Sequence, residues 1–163
     1  MARVLIIGCG CRGQALSRVL RAEGHAVRGT TRDPVRVPAI AAAGAEPYVG
    51  DPDHIATLMA GLTGTTIVCW LLGTATGELQ AVAALHGPRL RMLCEKVVDT
   101  PVRGLVYEAA GTVGAGLLAG GRDVARAARD TWQIPLEFLD ADPSEHDRWL
   151  AGATAAVGRL LTA

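Results

Sequence analysis

Three glycines near the amino terminus have the spacing G-x-G-x-x-G, a pattern that suits the binding of a pyrophosphate. Gly8, Gly10 and Gly13 follow the apolar run RVLII and precede a segment with helical periodicity. In such a turn the first glycine permits the tight bend, the second lets the backbone approach the phosphates, and the third lets helix and strand pack closely. Helix N–H groups from Arg12 onward would point at the phosphates, and Cys11 belongs to the same turn. A strand-to-helix turn without a ligand is the alternative, but the context favours a dinucleotide.

The end of the second predicted strand indicates which dinucleotide would bind. An NAD site usually carries an acidic residue about twenty positions after the glycines, where it accepts from the ribose 2′-hydroxyl. Thr31 occupies that place here and Arg32 follows it. A hydroxyl beside a guanidinium suits a 2′-phosphate, which arginine binds with paired charge-assisted hydrogen bonds. Asp33 would be the acidic residue if the strand were longer, but we interpret it as the cap before Pro34, so NADP(H) is favoured over NAD(H).

Carboxylates at the ends of two later strands are further candidates for the site. Asp51 is either the N-cap of a helix that begins at Pro52 or a group facing an adenine amino group, and the two roles are compatible. Tyr107 and Glu108 end the fifth predicted strand, where successive side chains point to opposite faces of the sheet. We interpret Tyr107 as a core or helix-facing aromatic. Glu108 is the single candidate for acid–base catalysis, because a carboxylate there is costly to bury without a partner.

The elements that must position these residues alternate between strands and helices. Apolar runs predict strands at 3–7, 25–30, 46–49, 65–72, 103–108 and 134–139. Helical spacing predicts helices at 37–43, 77–85, 88–98 and 122–131. A further helix begins at residue 12 and is ended by Gly24, and another begins after Asp51 and ends near Gly61. The last helix begins at the capping box at 142–145 and ends at about residue 161. Buried strands that alternate with helices predict an α/β fold, a Rossmann-like doubly wound parallel sheet of order 3-2-1-4-5-6 with helices on both faces.

Composition limits the classes of function. The 163 residues predict a single dinucleotide-binding domain over 1–163, and sixteen basic against sixteen acidic residues leave no overall charge to attract nucleic acid or a membrane. No apolar run approaches the roughly eighteen residues of a membrane span, and no secretory signal is apparent, so we expect a cytoplasmic protein. The four cysteines, Cys9, Cys11, Cys69 and Cys94, lack metal-ligand spacing. We interpret them as small buried residues in a reducing compartment and expect no metal.

The chain resembles the extended and atypical short-chain dehydrogenases/reductases, close to the NAD-dependent epimerase/dehydratase-like proteins. The matching stretches are VLIIGCGCRGQALSRVLRAEGHAVRGTTRDP, AGAEPYVGDPDH, IVCWLLG and RGLVYEAAG. The likeness covers about the first 115 residues well and the remainder loosely. It implies pyrophosphate binding at Gly8, Gly10 and Gly13, contact of Thr31 and Arg32 with the adenosine ribose or its phosphate, contact of Asp51 with adenine, and contact of Leu72, Gly73 and Thr74 with the nicotinamide half.

The chain departs from that group in the residues that carry its chemistry. The group's usual pair is Tyr-x-x-x-Lys, but neither Tyr48 nor Tyr107 lies four residues before Lys96, the only lysine. The serine expected after the fifth strand is also missing, and Thr112 is the only hydroxyl there. The long C-terminal substrate region of the extended enzymes has no counterpart after the last predicted strand.

These departures leave three hypotheses open. The favoured one is a dinucleotide-binding protein of reductase or epimerase ancestry that acts as a sensor or as a component of a complex. The second is an NADPH-dependent oxidoreductase that reduces a small carbonyl or imine substrate with unconventional acid–base residues. The third is a ligand-free scaffold for protein interaction. A homodimer is also open, because Trp149 and the apolar positions of the last helix could contact a second copy or pack on their own sheet.

Overall fold

In the computed structural model, which describes residues 1–163, six parallel strands form one sheet in the order β3-β2-β1-β4-β5-β6. The strands are β1 Arg3–Ile7, β2 Ala26–Thr31, β3 Glu46–Val49, β4 Ile67–Trp70, β5 Leu105–Glu108 and β6 Leu136–Leu139. The predicted doubly wound order is confirmed. The last three strands begin two residues later than the sequence predicts, and β4 also ends two residues earlier, so Leu71 and Leu72 lie in the turn after it.

Helices cover both faces of the sheet. They are α1 Cys11–Ala22, α2 Val37–Ala42, α3 Leu79–Leu85, α4 Pro88–Val97, α5 Ala115–Trp132 and α6 His146–Thr162, with 3₁₀ helices at Pro34–Arg36 and Ile55–Leu62. Successive strand residues point to opposite faces, which gives two apolar cores. One core joins Leu5, Trp70 and Tyr107 to α4 and α5, and the other joins Ile6 and Val106 to α1 and α6.

Helix α5 begins at Ala115, seven residues before its predicted start at 122. Gly116, Gly120 and Gly121 favour a loop by propensity, but tertiary packing overrides that preference. Gly121 has a packing role, because a Cβ there would overlap the Tyr107 hydroxyl. Tyr107 is fully buried and faces this helix, as predicted.

Two predicted helix starts are wrong because an aspartate forms a local turn instead of a cap. The Asp51 Oδ1 atom accepts from the Asp53 N–H at 2.9 Å, and a 3₁₀ helix follows only at Ile55–Leu62. Asp142 accepts from the Ser144 N–H at 2.9 Å, and α6 then begins at His146 without a side-chain cap. In both places the short polar side chain bonds to the backbone two residues on, which competes with helix initiation.

The last helix packs on its own sheet. Trp149 is fully buried, so of the two alternatives left open for it the structure shows packing on its own sheet. Val157 and Leu160 lie in the same core, while Leu150 and Leu161 are partly buried against it.

None of the helices has the length and apolar character to cross a membrane.

Three of the four cysteines are buried, as predicted, but Cys11 is exposed at the first position of α1. Burial raises the pKa of the Cys9, Cys69 and Cys94 thiols to about 12. No three His, Cys, Asp or Glu side chains lie together as a metal site.

Candidate dinucleotide-binding site

A groove of about 720 Å³ lies at the carboxyl ends of β1, β2 and β4. This is the point where the strand order reverses, the usual ligand site of an open α/β sheet. Seven of the predicted site residues line it: Gly8, Gly10, Thr31, Arg32, Asp51, Leu72 and Thr74. The other five, Cys11, Arg12, Gly13, Gly73 and Glu108, lie beside or behind the lining. The fold therefore brings the predicted binding residues to one edge of the sheet.

The glycine turn has the geometry that its three positions require. Gly8 has φ +87°, and a Cβ there would overlap the Leu71 carbonyl oxygen. At Gly13 a Cβ would lie 3.1 Å from the Ile6 Cγ2 atom, so the helix packs closely on β1. No heavy atom lies within 4 Å of a Cβ built on Gly10. The backbone of Gly10 is therefore open to close approach by a ligand.

The N-terminus of α1 offers free hydrogen-bond donors to that open space. Gly10 precedes the helix, no side chain caps it, and its first turn contains no acidic residue. The Gln14 N–H donates to the Gly10 carbonyl at 2.8 Å. The N–H groups of Cys11, Arg12 and Gly13 precede this first bond and have no partner within the helix. Such a terminus favours an anion through both its N–H groups and its dipole.

The end of β2 places two exposed arginines along the groove. Arg32 and Arg36 both line it, and neither forms an ion pair. Thr31 is engaged locally, because its hydroxyl accepts from the Asp33 N–H and donates to the Asp33 carbonyl, both at 3.1 Å. Asp33 caps the following 3₁₀ helix through Val35, which confirms its predicted capping role. Sequence reasoning missed Arg36, which ends the 3₁₀ helix four positions after Arg32, and the presence of a second arginine so close to the first was the usable signal.

The side chain of Arg12 connects α1 to the turn after β4. Its Nη2 atom donates to the Thr74 Oγ1 atom at 2.5 Å. The positive charge of Arg12 also acts on the Glu108 carboxyl and favours its ionised form. Arg12 thus lies between the glycine turn and the turn that carries Leu72, Gly73 and Thr74.

Glu108 lies behind the groove and is 1% exposed. Its Oε1 atom accepts from the Gly73 N–H at 2.7 Å, and its Oε2 atom accepts from the Trp149 indole N–H at 2.7 Å. Burial raises the pKa of Glu108, while these two hydrogen bonds and Arg12 act in the opposite direction. The carboxylate therefore has the partners that its burial requires, and both of its oxygens are engaged by protein groups.

A second buried polar pair lies on the other face of the sheet, at the same turn. His86 is 2% exposed, its Nε2 atom lies 2.9 Å from the Leu72 carbonyl oxygen, and its Nδ1 atom lies 2.7 Å from the Tyr107 hydroxyl. Because a carbonyl only accepts, Nε2 carries the proton and the Tyr107 hydroxyl donates to Nδ1. Burial lowers the pKa of His86, which favours this neutral form. Sequence reasoning assigned His86 only to a break between helices, and no local signal marks its role.

No protein-family model matches the sequence, and no curated protein sequence matches it either. Solved structures with the same fold include a Bacillus halodurans protein assigned as an NAD-dependent epimerase/dehydratase, at 14% identity and a TM-score of 0.72 over 87% of this chain and 71% of that one.

Two others were solved with dinucleotides. UDP-glucuronic acid 4-epimerase from Bacillus cereus in complex with NAD has 14% identity and a TM-score of 0.69, over 86% of this chain and 56% of that one. Triphenylmethane reductase from Citrobacter sp. complexed with NADP(H) has 18% identity and a TM-score of 0.63, over 84% and 48%. This chain spans about half the length of these two proteins. At these identities the likeness establishes the fold, and the chain is an α/β protein with the doubly wound Rossmann sheet of these structures.

Proposed function

We propose that the chain binds a nicotinamide dinucleotide in the groove, with NADP(H) preferred over NAD(H). The observation that carries the proposal is the continuity of the groove from the open N-terminus of α1 to the arginines after β2. A pyrophosphate would lie at Gly10 and the first turn of α1, where free N–H groups and open space coincide. The volume of the groove is in the range of small-molecule and cofactor sites.

The preference for NADP(H) rests on charge at the end of β2. Arg32 and Arg36 are unpaired cations on the groove, and the Thr31 hydroxyl is already used by Asp33. Asp33 accepts from the Val35 N–H through its Oδ1 atom. A 2′-phosphate would meet two guanidinium groups there against the single carboxylate of Asp33, which favours the phosphorylated ribose.

The ionisable groups near the nicotinamide half favour binding over the usual short-chain dehydrogenase chemistry. Glu108, His86 and Tyr107 are buried and bonded to protein partners. The sequence also lacks the Tyr-x-x-x-Lys pair. We propose a cofactor-binding protein that acts as a sensor or as a component of a complex, and the NAD and NADP(H) complexes among the similar structures support this class of ligand.

Isothermal titration calorimetry of NADPH, NADP, NADH and NAD against the wild-type chain tests the proposal. We expect NADPH to bind at least about tenfold more tightly than NADH, a difference of about 1.4 kcal/mol. Arg32→Ala and Arg36→Ala should each weaken NADPH and leave NADH nearly unchanged. Arg18→Ala removes an exposed arginine from the middle of α1 and serves as the matched control. Absence of binding by all four dinucleotides would refute the proposal, and equal losses for NADPH and NADH would refute the placement of the 2′-phosphate.

A second cavity supports the alternative of an NADPH-dependent oxidoreductase. It has a volume of about 430 Å³ and lies between the residues after β5 and the first turns of α5. Its wall includes Gly111, which packs directly against Gly73 of the proposed nicotinamide half. NADPH oxidation followed against a panel of small carbonyl compounds and imines separates the two functions. Turnover that Val113→Trp abolishes by filling this cavity would favour the enzyme, and no turnover in the presence of tight NADPH binding would favour the sensor.

A further inference from the structure

One peptide unit in the turn after β4 is hydrogen-bonded by buried side chains at both of its polar ends. The carbonyl of Leu72 accepts from His86 at 2.9 Å, and the N–H of the next residue, Gly73, donates to Glu108 at 2.7 Å. These two groups belong to the same peptide bond. We call His86 and Glu108 the peptide clamp.

The two halves of the clamp lie on opposite faces of the sheet. Tyr107 and Glu108 are consecutive residues of β5, so their side chains point in opposite directions. On one face Tyr107 donates to His86, and on the other the Trp149 indole donates to Glu108. Each clamping side chain is therefore fixed by a second buried residue, and the plane of the Leu72–Gly73 peptide is set from both sides.

The clamp stabilises the turn at a higher cost in desolvation free energy than apolar packing would. Burying an imidazole and a carboxyl incurs desolvation that apolar side chains of similar volume avoid. Gly73 is confined as well, because a Cβ there would lie 2.9 Å from the Glu108 Oε1 atom. A buried polar network with every member satisfied is suited to fixing one geometry.

The groove side of this turn shows what that geometry serves. Leu72 and Thr74 flank the clamped peptide and line the groove. The peptide's own polar groups are bonded inside the protein, so the turn presents these two side chains to a ligand. A rotation of the clamped peptide would move both of them.

We infer that His86 and Glu108 are positioning residues for the nicotinamide half of the bound dinucleotide. They act through the Leu72–Gly73 peptide and do not touch the ligand. The inference rests on the proposed function, since it needs a dinucleotide in the groove. It assigns them to one half of the ligand only, and the adenosine half contacts other residues.

That division gives the test, which uses calorimetry with NADPH and with adenosine 2′,5′-bisphosphate, a probe that lacks the nicotinamide. Glu108→Gln leaves an amide nitrogen facing one of the two N–H donors, and His86→Leu removes the donor to Leu72. We expect each to weaken NADPH by about tenfold, or about 1.4 kcal/mol, and to leave the bisphosphate unchanged. The fluorescence of the reduced nicotinamide in the complex should change together with the NADPH affinity.

Two variants are matched controls for the loss of a buried hydrogen bond. Trp149→Phe and Tyr107→Phe each remove one but keep the bonds to the peptide. We expect both to bind the bisphosphate like the wild type and to weaken NADPH less than Glu108→Gln and His86→Leu do, because the bonds to the peptide itself remain. His86→Gln, which retains an N–H donor, should recover part of the affinity that His86→Leu loses. Circular dichroism checks that each variant is folded. If the variant of one clamp residue fails to fold, the variant of the other clamp residue still tests the inference.

The outcomes separate the inference from the proposed function. Equal losses for the two ligands in folded variants, or no loss for either, would overturn the inference while the dinucleotide site stands. A wild-type chain that binds the bisphosphate as tightly as NADPH would also overturn it, because the nicotinamide half would then contribute nothing to position. A wild-type chain that binds neither ligand refutes the proposed function, and the inference falls with it.

Discussion

The Arg12 guanidinium donates to the Thr74 hydroxyl and so joins the glycine turn to the turn after β4. One partner belongs to the first turn of α1 and the other to the turn after β4, 62 positions later in the chain. Burial raises the pKa of Glu108, and the charge of the same guanidinium opposes that rise. A single cation thus connects the proposed pyrophosphate site with the carboxylate behind the proposed nicotinamide half.

Arg12→Ala should weaken all four dinucleotides by a similar factor, about tenfold, because it removes a cation near the phosphates that they share. This pattern differs from that of Arg32→Ala, which should affect NADPH and spare NADH. Calorimetry of both ligands on both variants makes the comparison. A loss confined to NADPH in Arg12→Ala would mean that Arg12 lies near the 2′-phosphate instead.

Gly10→Ala should leave stability nearly unchanged and weaken dinucleotide binding strongly. Gly10 has φ −82°, which alanine adopts easily, and its Cβ would meet no protein atom but would occupy the space given to the pyrophosphate. Gly8→Ala should instead lower the free energy of unfolding by 1 kcal/mol or more, about the cost of a strained backbone conformation, because Gly8 has φ +87°. Thermal unfolding and calorimetry measure the two effects. Unchanged NADPH affinity in Gly10→Ala would contradict the placement of the phosphates.

The contribution of His86 to the stability of the fold should decrease as the pH falls below the ordinary pKa of histidine. The pKa of His86 is lowered in the folded protein, so the unfolded chain binds a proton first. Its contribution is fully present above pH 6.5 and is lost as the pH falls from there toward the lowered pKa. The slope is at most about 1.4 kcal/mol per pH unit for one proton. Urea unfolding of wild type and His86→Gln between pH 5 and 8 measures the difference, and parallel curves would contradict it.

One thiol should react rapidly in the folded protein and four after unfolding. Cys11 is exposed, whereas burial raises the pKa of the other three thiols to about 12. Because Cys11 is the first residue of α1, beside the glycine turn, saturating NADPH should slow its labelling by a chromogenic disulfide. The variant Cys11→Ser gives the background rate. Labelling of Cys11 that NADPH leaves unchanged would argue against a ligand at this turn.

The sequence predicts the sheet and the glycine turn well because both depend on local patterns. Alternating apolar strands and helices determine the strand order, and Gly8, Gly10 and Gly13 have roles set by their neighbours. The peptide clamp cannot be predicted from local patterns, because His86 lies 14 positions from Leu72 and Glu108 lies 35 positions from Gly73. The start of α5 was misplaced for a related reason. Gly121 favours a loop by propensity, and only its contact with Tyr107 explains a glycine inside the helix.

The Leu72–Gly73 peptide has a thermodynamic consequence beyond its position. Its orientation is fixed by side chains of the folded protein, so the conformational entropy of this turn is lost when the chain folds and not when a ligand associates. The turn is preorganised, and binding at this end of the groove should proceed with little ordering of the backbone. The desolvation of the clamp residues is incurred during folding, and the turn is therefore already in position when a ligand binds.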